Sequence, residues 1–191
     1  MPPCPVPHAA ASKQVGLFDR AIPAGDVSGA VISPCKLYRY RLWRTWDLHK
    51  RRVTFFMLNP STADATEPDA TVTRCISFAK REGGGRLEVV NLYGWRATQP
   101  KELIGHEAPV ASPTEPGANA EAIRAATSHP DDLVVLAWGA NAPPDHAAAA
   151  VAELRTRGIW PKCLGTTANG SPCHPVRLAN ATTLIPYLAA H

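Results

Sequence analysis

The sequence lacks the long hydrophobic runs and the signal peptide that mark membrane and secreted proteins. No stretch approaches the roughly 18 uninterrupted apolar residues that a membrane-spanning helix needs. The first ten residues contain no basic region and no long apolar run, so a secretory signal is not expected. These absences predict a cytoplasmic protein that has no membrane partner.

Cysteines are few and scattered. The sequence has five, an odd number, and none of them forms a CxxC pair. In a protein without a secretory signal, this usage favours free thiols in a reducing compartment. A metal or iron–sulfur site is the alternative, for which Cys163 and Cys173 are the pair of interest. We expect no metal site.

Motifs of several common enzyme classes are also missing. No GxGxxG follows a predicted strand and no GxxxxGK[ST] is present, so a nucleotide-phosphate loop is unsupported. The sequence has neither a GxSxG nucleophile elbow nor an HExxH zinc motif. No cofactor is therefore predicted.

The sequence does contain enough apolar material for one globular domain. Hydrophobic residues make up 45% of the 191 residues and charged residues 19%, which excludes a disordered, collagen-like or coiled-coil chain. Residues 1–14 are rich in proline and alanine and are expected to form a flexible leader, followed by a single α/β domain at 15–191. The formal net charge of +4 permits a nucleic-acid or phosphate partner.

Alternating residues between positions 29 and 46 predict a β-hairpin with a turn at 33–36. A regular strand places every second side chain on the same face. The two predicted faces are Tyr38, Tyr40 and Leu42 on one side, and Arg39, Arg41 and Trp43 on the other.

After the hairpin, the hydrophobic pattern alternates between strand-like runs and helix-like spacing. The predicted strands are 53–58, 87–92, 133–138 and 159–164, and the predicted helices are 69–83, 119–128, 143–157 and 183–190. Such alternation indicates a parallel sheet with helices on both faces. The expected fold is α/β: a three-layer α/β/α arrangement with a central, mainly parallel four-stranded sheet, plus an N-terminal β-hairpin.

Unusual polar and aromatic residues follow the predicted strands. Ligands of open α/β sheets bind beyond the carboxyl ends of the strands, so these residues are expected to meet in one pocket. Each also has a purely structural interpretation, because Asn-Pro is a common turn, loop histidines are often exposed and Trp138 suits a core. The residues are Asn59, Ser61, Thr62, Asp64, Asn91, Tyr93, Arg96, Trp138, Gly139, His174 and Pro175.

A basic stretch interleaved with aromatic residues spans positions 36–52. Basic and aromatic residues on a sheet surface fit the binding of single-stranded nucleic acid. Alternatively, lysine and arginine protect an edge strand from pairing with another chain. The basic residues are Lys36, Arg39, Arg41, Arg44, Lys50, Arg51 and Arg52.

Four ordered motifs carry a resemblance to a known family. They read MLNPSTADATEPDATVTRC, VVNLYGWRATQP, VVLAWGAN and LGTTANGSPCHPVRLA, and the upstream YRYRLWRTWD fits the same pattern. Together they resemble a bacterial and phage family catalogued only as a domain of unknown function, number sixteen forty-three. The resemblance runs from about Tyr38 to Leu178, and Asp64, Asp69 and Arg74 belong to its pattern.

A more distant likeness is to the uracil-DNA glycosylase superfamily. An apolar strand ending in Asn-Pro, a strand ending in Trp-Gly and a terminal His-Pro loop are similar to that superfamily's motifs. The likeness implies that Asn59 positions the hydrolytic water, that His174 bonds the leaving base and that Asn91 reads the base edge. The sequence departs from the superfamily because the Asp form of the first motif is absent. In addition, Val176 and Arg177 stand where a serine and an apolar wedge are usual.

The likeness implies an N-glycosidase-like hydrolase that removes a base from nucleic acid. Cleavage of an N-glycosidic bond develops positive charge on the sugar and negative charge on the base. Asp64 would stabilise the cation, and His174 the departing base. The alternatives are a nucleoside or nucleotide N-glycosidase and a non-catalytic nucleic-acid-binding module of the same fold. The expected partner is nucleic acid (DNA, including its single-stranded form) or a nucleotide.

The predicted site residues fall into three groups. The catalytic residues are Asn59, Asp64 and His174. The substrate-binding residues are Ser61, Thr62, Asp69, Arg74, Asn91, Tyr93, Arg96, Trp138, Gly139 and Pro175. The nucleic-acid-binding residues are Lys36, Arg39, Arg41, Arg44, Arg51, Arg52 and Arg177.

Overall fold

The strands of the protein join in one mixed sheet. The computed structural model describes residues 28–61, 69–103 and 105–188. The strands within these ranges are β1 (Ser28–Ile32), β2 (Arg39–Thr45), β3 (Arg52–Met57), β4 (Arg86–Asn91), β5 (Leu133–Leu136), β6 (Lys162–Cys163) and β7 (Ile185–Pro186). Their order across the sheet is β1-β2-β4-β3-β5-β6-β7.

Three α-helices connect these strands in the described ranges. They are α1 (Ala70–Arg81), α2 (Ala118–Ala126) and α3 (Pro144–Thr156), and short 3₁₀ turns lie at Pro100–Leu103 and Pro175–Arg177. No helix among the described residues has the length and apolar character needed to cross a membrane. The expected leader at 1–14 lies outside the described residues.

The prediction of a central, mainly parallel four-stranded sheet with a separate hairpin was wrong. The sheet has seven strands and is mixed, although the fold is still α/β. Strands β4, β3, β5 and β6 run parallel to one another. Strand β2 pairs antiparallel with β4, with Leu42 opposite Val89, so the hairpin of β1 and β2 extends the sheet. Leu42 and its neighbour Arg41 are both buried, which is typical of a strand covered on both faces.

The carboxyl-terminal segment also differs from the prediction, which placed a helix at 183–190. Residues Ile185–Pro186 instead form strand β7, antiparallel to β6, with Ile185 opposite Cys163. Pro186 explains the difference, because proline has no backbone N–H and its ring clashes with the preceding helical turn. The residue before a proline is held in an extended conformation, and an edge strand tolerates the missing donor.

Successive side chains of β3 point to opposite faces of the sheet and build two cores. Phe55 packs with Phe78 of α1 on one face. Phe56 packs with Ala126 of α2 and Leu154 of α3 on the other. Burial of each phenylalanine contributes about 1.5–3 kcal/mol to folding. The sheet is therefore covered by α1 on one face and by α2 and α3 on the opposite face.

A β-bulge in β2 changes which of its side chains share a face. The register of β1 against β2 shifts between Val31 and Ile32, which leaves Tyr40 as an extra residue on β2. Tyr40 packs against α2, whereas Leu42 packs in the core on the side of α1. The prediction that Tyr38, Tyr40 and Leu42 lie on one face was therefore wrong.

Candidate functional site

A cavity of about 660 Å³, here called the strand-end cavity, opens where β3, β4 and β5 end. Segments far apart in the sequence meet there, at the sheet edge where open α/β folds bind ligands. The predicted site residues that line it are Arg39, Asn59, Ser61, Asp69, Asn91, Trp138, Gly139, His174 and Arg177.

Gly139 joins the loop after β5 to the loop that carries His174. Its φ is +76°, a left-handed conformation that favours glycine, and its N–H donates to the Pro172 carbonyl at 2.8 Å. A Cβ added at this position would lie 3.5 Å from the Cβ of His174. That distance is an ordinary van der Waals contact, so it is the left-handed φ that favours glycine at this position.

Asn91, the last residue of β4, brings an unsatisfied amide to the strand-end cavity. It is 1% exposed, and neither its Nδ2 nor its Oδ1 has a hydrogen-bond partner among the described residues. Its main-chain carbonyl is held by Asn119 Nδ2 of α2 at 3.0 Å. A buried polar group without a partner costs about 1–3 kcal/mol of folding stability. A buried amide without partners beside a cavity is typical of a group that binds a ligand.

His174 lies at the start of the 3₁₀ turn Pro175–Arg177. Its Nδ1 accepts a hydrogen bond from the Val176 N–H at 3.4 Å, which assigns the proton of the neutral ring to Nε2. Burial lowers the pKa of His174 below its usual range, an effect that the Asp69 carboxylate opposes and the Arg177 guanidinium reinforces. The imidazole is therefore neutral at pH 7 and offers Nε2–H as a donor.

Asp69 places a fixed carboxylate in the strand-end cavity. Its Oδ1 accepts a hydrogen bond from the Val72 N–H at 2.8 Å, which confirms the predicted N-cap of α1. Its Oδ2 accepts a hydrogen bond from the Ser61 hydroxyl. The positive end of the α1 dipole stabilises the negative charge at this position. Asp69 is therefore a charged group in the cavity whose orientation is set from two sides.

Asn59, two residues after β3, is oriented by the backbone around it. Its Nδ2 donates to the Ala97 carbonyl at 2.7 Å and to the Pro60 carbonyl at 3.1 Å. Both amide hydrogens are thus engaged, so the carbonyl oxygen is the group that remains for a water or a ligand.

Four predicted substrate-binding residues lie outside the lining of the strand-end cavity, as far as the structure describes it. Arg74 of α1 donates to the Leu178 carbonyl and to the Asn180 side chain, so it connects α1 to the segment that follows His174.

The Tyr93 ring makes an edge contact with His146, with ring centroids 4.9 Å apart. Arg96 donates to the Lys36 carbonyl at 3.2 Å. Pro175 is buried. Thr62 and Asp64 belong to the segment 62–68, outside the described residues.

Three arginines that were predicted to bind nucleic acid are buried. Arg39, Arg41 and Arg44 are 2%, 7% and 8% exposed, respectively. Arg39 lines the strand-end cavity, and Arg44 Nη1 donates to the Trp43 carbonyl at 2.8 Å. The expectation of an exposed basic strip along β2 is corrected accordingly, because both faces of β2 are covered. Lys36, Arg51 and Arg177 are exposed.

Glu88 of β4 pairs with one of these buried arginines, Arg41, and with two partly buried ones, Arg52 and Arg86. Its carboxylate lies 2.5 Å from Arg41 Nε, 3.3 Å from Arg52 Nη1 and 2.5 Å from Arg86 Nη2. Burial would raise the pKa of Glu88, but these guanidinium groups lower it below its usual range. Arg52 also pairs with Asp132, which precedes β5. The predicted nucleic-acid contacts Arg41 and Arg52 therefore connect β2, β3, β4 and β5 inside the molecule.

The predicted site residues leave out several residues that line the strand-end cavity, among them the polar residues Asn141, Thr167 and Cys173. These three lie in loops that follow β5 or β6, so their position after a strand was a usable signal. The place of Arg39 in the cavity had no such signal, because it depends on the bulge in β2.

The described residues contain no group of three or more His, Cys, Asp or Glu side chains that could hold a metal ion. Among the cysteines in the described ranges, Cys75, Cys163 and Cys173 are free thiols. Burial raises the pKa of the Cys163 thiol, with a smaller contribution from Cys173 in the same direction.

The family model described as "Protein of unknown function (DUF1643)" matches residues 39–176. This span contains the described lining of the strand-end cavity except for Arg177 and Leu178. No match to the chain was found among the curated proteins or the solved structures. Because the match covers most of the sequence, the chain belongs to the DUF1643 family of proteins of unknown function.

Proposed function

We propose that the protein is an N-glycosidase-like hydrolase that removes a base from nucleic acid. The observation that carries this proposal is the buried amide of Asn91, whose donor and acceptor both lack partners within the described ranges. The edge of a nucleobase presents donors and acceptors side by side, so one base edge would satisfy both amide atoms. A cavity of about 660 Å³ also has room for a base and its sugar.

His174 suits the role of stabilising the departing base. Cleavage of the bond between the sugar C1′ and the base nitrogen leaves the bonding electron pair on the base. The Nε2–H of a neutral imidazole can donate a hydrogen bond to that developing negative charge. The ring is already oriented by its Nδ1 contact, so little reorganisation is needed during the reaction.

Asn59 and Asp69 suit roles on the sugar side of the bond. The free carbonyl oxygen of Asn59 can accept a hydrogen bond from a water and orient that water towards C1′. The Asp69 carboxylate supplies negative charge beside the cationic sugar, the role predicted from the sequence for Asp64. The water oxygen bonds to C1′ and its proton passes to the departing base. The products are then a free base and a sugar with a hydroxyl group at C1′.

A second candidate function is the cleavage of a free nucleoside or nucleotide. The observation that favours it is the burial of Arg39, Arg41 and Arg44, three of the seven basic residues that were predicted to contact a polymer. Arg177 at the cavity and the buried Arg39 are sufficient cations for a single phosphate.

The test is mass spectrometry of bases released from DNA, RNA, nucleosides and nucleotides that carry ordinary and modified bases. We expect release from at least one polymer substrate by the unmodified protein and a loss of about 10²–10⁴-fold in His174→Ala. The matched control is His129→Ala, which removes an exposed histidine outside the strand-end cavity and should leave the rate unchanged.

The outcomes separate the candidate functions. Release from nucleosides or nucleotides alone would favour the second candidate. Binding of nucleic acid without the release of any base would leave the protein as a non-catalytic binding module and refute both hydrolase functions.

A further inference from the structure

A second cavity, here called the helix cavity, lies between α2 and α3 on the face of the sheet opposite α1. Its volume is about 180 Å³, and none of its described lining residues is shared with the strand-end cavity. The walls are mainly apolar and include Phe56, Leu92, Ile123 and Leu154. The size and the apolar lining fit a small, mainly apolar molecule. Two polar side chains of the lining can select which molecule binds.

Asn119 of α2 is the first of these polar side chains. It is 1% exposed, and its Nδ2 donates to the carbonyls of Asn91 and Leu92 at 3.0 and 3.2 Å. Those two acceptors fix the orientation of the amide. If the amide were rotated by 180°, Oδ1 would face two carbonyl oxygens and no donor. Its Oδ1 accepts no hydrogen bond from the residues that the structure describes. Asn119 thus lines the helix cavity and carries a buried acceptor that lacks a donor within the described ranges.

His146, in the first turn of α3, is the second polar side chain of the helix cavity. Its ring is held against Tyr93 at an interplanar angle of 75°. Burial lowers the pKa of His146, so the ring is neutral at pH 7 and carries one donor and one acceptor nitrogen. The charged residues of the lining are already engaged, since Glu153 pairs with Arg124 and Arg157 donates to Thr127. The lining thus offers hydrogen bonds without an uncompensated charge.

We propose that the helix cavity is a binding site for a small, uncharged single-ring molecule that donates an O–H or N–H to Asn119 Oδ1. An apolar cavity of roughly 150 Å³ holds one benzene ring, so about 180 Å³ accommodates a ring with one or two polar substituents. The ring lies among Phe56, Ile123 and Leu154, and its donor meets the orphan oxygen. The same amide of Asn119 supports the end of β4 that carries Asn91, so the ligand contacts a residue that is hydrogen-bonded to a wall residue of the strand-end cavity.

The test compares the binding of phenol and toluene to the full-length protein by ligand-observed NMR titration at pH 7.5. The two molecules have nearly the same shape, and only phenol has a donor. We expect phenol to bind about tenfold more tightly, the effect of one hydrogen bond to an otherwise unpaired acceptor. Equal affinities would overturn the role of Asn119 Oδ1, and the absence of phenol binding would overturn the site.

Cavity-filling variants locate the binding. Ala150→Leu places extra volume in the helix cavity and should abolish phenol binding. Ala148→Leu is the matched control, because Ala148 is exposed on the same helix outside the described lining. If Ala150→Leu fails to fold, Ala149→Leu fills the same cavity from a more exposed position. Undiminished phenol binding in the folded variant would refute this location. Because the readout is binding alone, the result is independent of any base-releasing activity.

Discussion

At the scale of single residues, Asn91 has a side chain that suits binding better than folding. Both polar atoms of its amide are buried without partners among the described residues, beside a cavity large enough for a ligand. An apolar side chain of similar shape would avoid this cost of about 1–3 kcal/mol. We therefore expect the Asn91 amide to bind a ligand and not to stabilise the fold.

The substitution Asn91→Leu tests whether the Asn91 amide lowers the stability of the fold and is needed for activity. Leucine has the same branching at Cγ and no polar atoms, and the adjoining cavity accepts its additional volume. We expect the free energy of unfolding to rise by about 1 kcal/mol or more while base release is lost. Urea denaturation and the base-release assay measure the two effects.

Asn119→Leu is the matched comparison for that experiment. Asn119 is equally buried, but its Nδ2 donates to the carbonyls of Asn91 and Leu92, so its loss removes two hydrogen bonds. We expect this variant to be destabilised by about 1–3 kcal/mol. A similar loss of stability in both variants would contradict the view that the Asn91 amide is unsatisfied.

At the scale of secondary structure elements, the network around Glu88 connects four strands by charge. Glu88 is fully buried, and it faces Arg41 of β2, Arg52 of β3 and Arg86 of β4. Arg52 continues the network to Asp132 beside β5. Removal of the central carboxylate would leave the buried Arg41 and the partly buried Arg86 without their carboxylate partner.

Glu88→Gln is therefore expected to lower the free energy of unfolding by about 3–5 kcal/mol. The control is Glu82→Gln, which removes a partly exposed carboxylate that pairs with Arg81 and should cost less than about 1 kcal/mol. Urea denaturation of both variants at pH 7 measures the difference. A cost for Glu88→Gln no larger than that for Glu82→Gln would show that the network does not stabilise the sheet.

Elements with a strong local pattern could be predicted from the sequence, whereas their tertiary pairing could not. The apolar runs at 53–58 and 87–92 correspond to β3 and β4, and the helix with an Asp69 cap corresponds to α1. The pairing of β2 with β4 buries Arg41 beside Glu88, an ion pair between strands that no periodicity reveals. The bulge at Tyr40 and strand β7 likewise arise from sheet register and from Pro186, which override the local spacing.

At the scale of the whole molecule, the rule that ligands bind beyond the carboxyl ends of parallel strands predicted where the cavity lies. The pattern of basic residues did not predict which arginines are exposed. Asn59, Asn91 and His174 meet because the carboxyl ends of parallel strands share one edge. The helix cavity was not predictable, because Asn119 and His146 lie on helices whose spacing does not show an unpaired atom. The basic stretch at 36–52 misled because formal charge in a sequence does not distinguish exposed arginines from buried ones.

A substitution at Arg177 tests whether the substrate is a polymer or a small molecule, because Arg177 is exposed and also lines the strand-end cavity. If the substrate is nucleic acid, Arg177→Ala should reduce the slope of log Kd against log salt concentration by about 0.7–0.9, the effect of one phosphate contact. Arg124→Ala is the control, because Arg124 is exposed on α2, on the face opposite α1, where it pairs with Glu153. Fluorescence anisotropy with labelled single-stranded and duplex DNA at several salt concentrations provides both slopes. Equal slopes for the two variants would mean that the polymer does not pass the cavity mouth, and the nucleotide would then be the substrate to pursue.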